Sequence, residues 1–225
     1  MASYSIAQSM GMGEDLIDNY GFKREQINII NNALGPVYEK EASSQETFEK
    51  ENFILYAGRL EQQKGLYMLL EAFALMQDKT VGLKLIGEGS QKEELVRYAQ
   101  KLSISDRVEF IPYTTKIIEY YRHAKITAMT SYFEGFPNVL SESIACGTPV
   151  VAYDLPSGPK EIIIEGSNGY LVEYLNVAAM SQALDQALTA DWNIKEIKET
   201  ARRYFRDNIM KQYQALIDRI YKEQE

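Results

Sequence analysis

The chain has little of what nucleic-acid-binding or disulfide-stabilised proteins need. Its 225 residues contain a single cysteine, Cys146, so no disulfide can form within the chain and nothing indicates an oxidising compartment. Lysine and arginine number 24 against 32 aspartate and glutamate residues, a formal net charge of −8. This balance argues against nucleic acid as a partner, because neutralising its phosphates requires clustered basic side chains.

Long apolar runs and metal-ligand clusters are also absent from the sequence. No run approaches the roughly 18 residues that a bilayer span needs, and the first residues lack the charged and apolar regions of a signal peptide. We therefore expect a cytoplasmic location, with peripheral membrane attachment left open. One histidine, His123, and one cysteine offer no set of metal ligands, so His123 is predicted to be structural and Cys146 a small buried hydrophobe.

Hydrophobic residues make up 45% of the chain, enough for a sizeable core, and they divide it into zones. The first zone, 1–50, predicts a helix over 6–20 and a short strand over 27–30. The charged stretch 39–52 has the composition of a solvated linker. One helix and one strand cannot bury their own apolar faces, so this zone is interpreted as the remnant of a preceding domain.

The second zone, 51–190, alternates short apolar runs with helical patterns. This alternation predicts an α/β fold, a Rossmann-like doubly wound parallel sheet of about six strands flanked by helices. The predicted strands cover 53–57, 83–86, 108–111, 126–130, 150–153 and 170–172, with helices over 91–102 and from Asn138 onward.

The third zone, 191–225, is charged and predicts a helical C-terminal tail. Its apolar residues fall into two sets that could each pack one helix face. The first set is Trp192, Ile197, Ala201, Tyr204 and Phe205, and the second is Met210, Tyr213, Leu216, Ile217 and Ile220.

The loop after the first predicted strand of the sheet combines glycine with cations. Ligands of doubly wound sheets bind at the carboxyl ends of strands. Gly58, Arg59 and Lys64 lie there, and they could receive a phosphate by close backbone approach and charge-assisted bonds. A polar loop with solvated charges explains the same residues. The glycine spacing is not that of a Walker A loop.

A second loop enters a predicted helix at Pro137, a residue suited to a first helical turn. The backbone N–H groups of Asn138, Val139 and Leu140 would then form an anion site. Glu134 just ahead of that site would be repelled by a phosphate, and one explanation is that it faces sugar hydroxyls instead. For Glu134 and Glu142 taken alone, a solvated surface position is the favoured interpretation.

The motifs around this second loop resemble those of the retaining family-4 glycosyltransferases. Glu-Gly-Phe-Pro-x-x-Leu-x-Glu spans 134–142, and Cys-Gly-Thr-Pro-Val-Val follows at 146–151. Further motifs fall in the expected order: Gly58-Arg59 with Lys64-Gly65, Gly87-Glu88-Gly89, Gly158-Pro159-Lys160-Glu161 and Asn168-Gly169-Tyr170. The resemblance covers about 27–190.

The resemblance implies the C-terminal, nucleotide-sugar-binding domain of a GT-B fold, with a UDP-sugar as donor and no metal. By similarity, Arg59, Lys64 and Gly58, with the amides of Asn138, Val139 and Leu140, hold the donor diphosphate. Glu142 binds the ribose, and Glu134 acts at the donor sugar as the catalytic residue. The remaining implied contacts are Gly135, Phe136 and Pro137 at the sugar, and Ile111, Pro112 and Tyr113 at the nucleobase.

Such an enzyme transfers a hexose or N-acetylhexosamine, with retention, to a glycan, lipid-linked or polymer acceptor in surface polysaccharide or glycoconjugate synthesis. Complete members of the family have an acceptor-binding half, with a glycine-rich first loop that is not found here. Residues 191–225 would cross back to that missing N-terminal domain. We therefore expect this chain alone to bind donor but to transfer little sugar. A non-catalytic nucleotide-sugar-binding module that acts with a partner chain, and an epimerase of the same fold, are the alternatives.

Overall fold

The computed structural model describes residues 4–223. The strands are β1 (Ser5–Ala7), β2 (Ile27–Ile29), β3 (Phe53–Ala57), β4 (Gly82–Ile86), β5 (Val108–Ile111), β6 (Ile126–Met129), β7 (Val150–Tyr153) and β8 (Gly169–Val172). The helices are α1 (Met10–Tyr20), α2 (Pro36–Ser43), α3 (Leu66–Leu75), α4 (Lys92–Lys101), α5 (Ile117–His123), α6 (Asn138–Ala145), α7 (Pro159–Ile162), α8 (Val177–Thr189), α9 (Ile194–Ala201) and α10 (Arg206–Lys222).

Strands β3 to β8 form one parallel sheet in the order β5-β4-β3-β6-β7-β8. This arrangement confirms the predicted doubly wound sheet, and each observed strand agrees with its predicted range within one residue at either end. The chain winds outward from β3 to β5 and then returns to place β6 on the other side of β3. The order therefore reverses between β3 and β6, and ligands of such sheets bind at this switch point.

Helices cover both faces of the sheet, which explains the almost uninterrupted apolar sequence of its central strands. All five residues of β3 are buried; Ile54 and Tyr56 pack into the larger core, and Phe53 and Leu55 into the smaller one on the opposite face. Helix α3 packs against α4 and α8, whereas α6 packs against α2 and α9.

The stretch 39–52 is not simply the solvated linker that its composition indicates. It begins inside α2, where Glu41 and Ala42 are buried. Both oxygens of Glu41 accept hydrogen bonds from the guanidinium of Arg122, at 2.9 and 2.7 Å. The bidentate pair supplies the counter-charge that makes burial of a carboxylate tolerable, and composition alone does not reveal such a partner.

A second, two-stranded parallel sheet pairs β1 with β2, and α10 packs beside it. Ile209 and Leu216 of α10 form a small core with Ile30. Met210 and Ile217, which were predicted to pack, are exposed instead, because the helix turns Ile209 toward Ile30. Within residues 4–223, no helix is both long enough and apolar enough to cross a bilayer.

Candidate functional site

A cavity of about 670 Å³ opens at the carboxyl ends of β3, β4 and β5. Loops after these strands form one wall, and α2, α5 and α6 contribute the rest. The lining residues are Tyr38, Ala57, Gly58, Arg59, Ile86, Gly87, Glu88, Tyr113, Thr114, Thr115, Ile117, Tyr121, Val139 and Glu142. The cavity brings together four residues that were predicted to bind the diphosphate or the ribose. They are Gly58, Arg59, Val139 and Glu142.

Backbone contacts hold the loops after β3 and β4 together. Gly87 has a φ of +148°, and a Cβ atom there would lie 1.9 Å from the carbonyl oxygen of Gly58, so only glycine fits. The hydroxyl of Tyr56 donates to the carbonyl oxygen of Arg59 at 2.7 Å. The Gly-x-Gly turn thus brings the second loop against the first, which fixes the position of Arg59.

Arg59 is exposed at the cavity and belongs to a short chain of polar contacts. Its Nη2 donates to Oε1 of Gln63 at 3.1 Å, and Nε2 of Gln63 donates to the carbonyl oxygen of Phe133 at 2.9 Å. Gln63 therefore connects the loop after β3 to the loop after β6. The guanidinium makes no salt bridge to a carboxylate of residues 4–223, so its charge remains available to an anion.

Glu142 presents its carboxylate to the cavity from the second turn of α6. Burial raises the pKa of this carboxyl above its ordinary value, and hydrogen bonds from Tyr38 and Tyr121 partly oppose the shift. The hydroxyl of Tyr121 lies 3.3 Å from Oε2 of Glu142. A carboxylate held by two phenols at the floor of a cavity can accept hydrogen bonds from ligand hydroxyls.

Lys64 and Glu134 form an ion pair beside the cavity rather than in its lining. The Lys64 ammonium is 2.6 Å from Oε1 of Glu134, and the Ser131 hydroxyl donates to the same oxygen at 2.7 Å. The two charged side chains are only 17% and 11% exposed. The pair explains how a carboxylate can stand next to a predicted phosphate site, because Lys64 compensates its charge.

The start of α6 supplies fewer free amides than the sequence predicts. The Leu140 N–H donates to the carbonyl oxygen of Pro137 at 3.0 Å, so it is not available to an anion and that prediction is corrected. The tight first turn of the helix makes this bond. Val139 lines the cavity, and Asn138 is exposed, with its Oδ1 accepting from Nδ2 of Asn32 at 3.0 Å.

Two of the residues predicted to contact the sugar are directed into the protein. Phe136 is 7% exposed and its ring packs edge-on against that of Tyr204, with centroids 5.4 Å apart. Pro137 is buried against Gly158, where an added Cβ atom would lie 2.3 Å from the proline ring. Their side chains support the loop from below, because an aromatic ring and a proline gain more from core packing than from a polar ligand.

Gly135 faces the N-terminal segment of the chain. A Cβ atom at this position would lie 2.9 Å from the sulfur of Met12. Nearby, the backbone N–H of Met10 donates to Oε1 of Glu161 at 2.7 Å. The start of α1 therefore forms a wall next to the Glu134 loop.

The predicted nucleobase loop is only partly at the cavity. Tyr113 lines it and is 75% exposed, whereas Ile111 and Pro112 do not belong to the lining. The carbonyl oxygen of Ile111 already accepts the Gly87 N–H at 3.0 Å. The Ile111 carbonyl oxygen is therefore already used in a backbone hydrogen bond. Tyr113, Thr114 and Thr115 line the cavity and could contact a ligand.

Tyr38, Tyr121 and Ser131 are candidate functional residues that sequence reasoning missed. Tyr38 immediately precedes the charged stretch 39–52, and the sequence around it has no apolar pattern that would predict burial. Tyr121 belongs to an apolar helix pattern that is equally typical of packing. Ser131, the first residue of the motif-bearing loop, could have been found from its spacing three residues before Glu134.

The chain belongs to the family of glycosyl transferases group 1, whose model matches residues 37–206. The matched region contains the whole six-stranded sheet and the cavity. It also includes α2 apart from its first residue, and therefore the buried pair Glu41 and Ala42. The structures similar to this one are GT-B glycosyltransferases.

Curated relatives include bacterial glycosyltransferases. One, from Campylobacter jejuni, is an N-acetylgalactosamine-N,N'-diacetylbacillosaminyl-diphospho-undecaprenol 4-alpha-N-acetylgalactosaminyltransferase; the two are 31% identical over 201 residues, 89% of this chain and 55% of that protein. Another is the lipopolysaccharide 1,6-galactosyltransferase of Escherichia coli, 31% identical over 205 residues, with 88% and 55% covered. The chain thus spans about half the length of these relatives.

Solved structures share the fold. The lipopolysaccharide outer core galactosyltransferase WaaB, in its apo form, superposes with a TM-score of 0.84 and 24% identity, covering 96% of this chain and 62% of that one. HepE from Anabaena, in complex with UDP, gives a TM-score of 0.79 and 20% identity, with 99% and 64% covered.

Proposed function

We propose that this chain is the donor-binding part of a retaining, family-4-type glycosyltransferase that uses a UDP-sugar without a metal ion. The observation that carries the proposal is the 670 Å³ cavity between α6 and the carboxyl ends of β3, β4 and β5, with Arg59 at its edge and Glu142 at its floor. A cation for phosphate and a carboxylate for hydroxyls are the two polar groups that a nucleoside diphosphate requires.

The ligand would extend from the cavity toward the Lys64–Glu134 pair. The base would lie near Tyr113, the ribose at Glu142, and the diphosphate at Gly58, Arg59 and the amides of Asn138 and Val139. These amides belong to the first turn of α6, where backbone donors have no intrahelical acceptor. The sugar would then lie in front of Glu134 and Gly135.

Lys64 would change partners as the leaving group forms. In the reaction, the bond between C1 of the sugar and the diphosphate oxygen breaks, and negative charge develops on the departing nucleotide. Arg59 and Lys64 would stabilise that charge, as a metal ion does in other transferases. Glu134, released in part from Lys64, would support the positive charge at C1.

Retention would follow from attack on the same face of the sugar. The acceptor hydroxyl forms the new bond to C1, and its proton passes to the departing phosphate oxygen. The transferred group would be a hexose or N-acetylhexosamine, as the names of the relatives suggest. Their names also favour a lipid-linked or polysaccharide acceptor, whose binding would require the part of the relatives that this chain does not match. We therefore expect little transfer by residues 1–225 alone.

Calorimetric titration with UDP and UDP-sugars tests the donor site. We expect saturable binding that weakens at least tenfold in Arg59→Met and Glu142→Gln, since each removes a charge-assisted bond worth about 1.5–3 kcal/mol. Lys211→Met and Glu109→Gln, which alter exposed residues away from the cavity, serve as matched controls. Binding that survives Arg59→Met and Glu142→Gln unchanged would exclude the cavity as the donor site.

A further inference from the structure

A second cavity lies at the opposite edge of the sheet from the donor cavity. Its volume is about 230 Å³, and we call it the lysine cavity. Lys50 and Lys125 enter it from just before β3 and β6, and the turn before β7 forms its floor. It is lined by Lys50, Lys125, Gly147, Pro149, Ala187, Leu188, Ala190, Trp192 and Ile194.

The cations at this cavity lie near carboxylates without forming ion pairs: Lys125 interacts electrostatically with Asp78, and Lys198 with Glu41 and Glu46. Within residues 4–223, neither Lys50 nor Lys125 forms a salt bridge, and the same is true of Lys198, which packs behind Gly147. Lys50 donates instead to Oγ1 of Thr148 at 2.6 Å. These ammonium groups form a local positive region in a chain whose net charge is −8.

Lys50 and Lys125 are half-buried at the cavity, and Lys198 is buried behind it. Lysine is rarely buried without a counter-charge, because removing an ammonium group from water is costly. Lys198 is only 5% exposed, and its Nζ donates to the carbonyl oxygens of Ser44 and Glu46 at 3.1 and 3.2 Å. Burial also lowers the pKa of Lys50 to about 8, and the nearby Lys198 adds to this effect while Cys146 opposes it.

The shape of the cavity limits what could supply the missing negative charge. Apolar residues from the end of α8 and the start of α9 form most of its wall, so an extended polar ligand would leave hydrogen-bonding groups unsatisfied there. A compact oxyanion could contact the ammonium groups of Lys50 and Lys125 and still have room for water. Such a ligand would also offset part of the cost of partly removing these two ammonium groups from water.

We propose that the lysine cavity binds a compact oxyanion of the phosphate class, held between Lys50 and Lys125 and separate from the donor cavity. Inorganic phosphate and the phosphoryl group of a small phosphomonoester share the required chemistry. Glycerol 3-phosphate, titrated beside inorganic phosphate, distinguishes these two sources.

The test is a calorimetric titration of inorganic phosphate into the full chain, at constant ionic strength in chloride buffer and with saturating UDP. We expect saturable binding to the wild type, at least tenfold weaker in Lys50→Met and in Lys125→Met. Lys211→Met, which alters an exposed lysine of α10, should bind as the wild type does. Lys64→Met should also retain phosphate binding, because Lys64 belongs to the donor side.

Thermal unfolding of each variant without phosphate shows whether it folds. Lys50→Met should be at least as stable as the wild type, since it removes a buried charge and keeps the aliphatic stem. If that variant does not fold, Lys125→Met still decides the question. The proposal is overturned if phosphate does not saturate the chain at millimolar concentration. It is also overturned if binding is lost in Lys64→Met but kept in Lys50→Met and Lys125→Met.

Discussion

The Lys64 ammonium and the Ser131 hydroxyl both reach Oε1 of Glu134, at 2.6 and 2.7 Å. Two donors on one carboxylate oxygen restrict the rotamer of Glu134. Its other oxygen has no hydrogen-bond partner among residues 4–223. The ion pair connects the loop after β3, which carries Lys64, to the loop after β6, which carries Glu134. Each charged side chain is therefore compensated by one from the other loop.

Replacing Lys64 by methionine should lower the free energy of unfolding by about 2–3 kcal/mol, because it leaves the Glu134 carboxylate buried and unpaired. The double variant Lys64→Met/Glu134→Gln should recover most of that loss without recovering UDP affinity. Urea denaturation measures the first effect and calorimetry the second. Additive stability losses in the double variant would contradict a direct interaction between the two side chains.

The raised pKa of Glu142 predicts a pH-dependent stability. The folded chain binds the proton more tightly than the unfolded chain does, so ionising Glu142 costs stability as pH rises above the unfolded value of about 4.5 and through the higher folded pKa. Glu142→Gln should therefore gain stability relative to the wild type between pH 4.5 and 7. Urea denaturation across this range, with Glu109→Gln as control, measures the difference; a constant difference would contradict the prediction.

The pair formed by Arg122 and Glu41 attaches α2 to α5. Arg122→Lys should cost about 1–2 kcal/mol, since an ammonium group cannot reproduce the bidentate geometry and Glu41 stays buried. UDP affinity should also fall, because Tyr38 on α2 lines the cavity. Arg97→Lys, in an exposed pair 3.9 Å from Glu93, is the matched control and should change neither quantity.

Gly65 should tolerate no side chain. Its φ is +61°, and a Cβ atom would lie 2.2 Å from the carbonyl oxygen of Thr130, so Gly65→Ala would force the Lys64 loop away from the loop after β6. Gly166→Ala has a similar φ of +73° with nothing within 4 Å, and should cost only about 1 kcal/mol of backbone strain. Chemical denaturation should show Gly65→Ala to be the more damaging variant by several-fold; equal losses would exclude the steric contact as the cause.

The lowered pKa of Lys50 predicts a stability difference between variant and wild type that shrinks as pH rises, whereas the difference for Glu142→Gln grows. Its folded pKa of about 8 lies below the ordinary value of 10.5, so the penalty of burying its charge is present below pH 8 and disappears as pH rises toward 10.5. In chloride buffer, Lys50→Met should therefore exceed the wild type in stability by up to about 3 kcal/mol at pH 7 and lose that advantage by pH 10.5. Lys211→Met should show no such convergence.

The sheet could be predicted from the sequence because its strands are buried on both faces. A run such as Phe53–Ala57 has no polar position, and this signal does not depend on knowing its neighbours. Glu134 and Glu142 were likewise found from a motif, and the structure puts Glu142 at the cavity and Glu134 beside it.

Tyr38 and the faces of α10 could not be predicted in this way. Tyr38 reaches the cavity because Arg122, more than eighty residues away, holds α2 in place. The choice between Ile209 and Met210 for burial depends on where Ile30 lies, since both are apolar and adjacent. In each case the local sequence pattern shows which residues could be buried. Contacts with residues far away in the sequence determine which of them is buried.

Helix α2 is at once the connection from residues 4–35 to the sheet and part of the cavity wall, through Tyr38. A ligand bound in the cavity would contact this helix through Tyr38. The same helix is anchored at Glu39 to Arg206, where the last helix begins. One short helix therefore carries contacts to the cavity, to α5 and to α10, and a substitution that displaces it is expected to weaken all three at once.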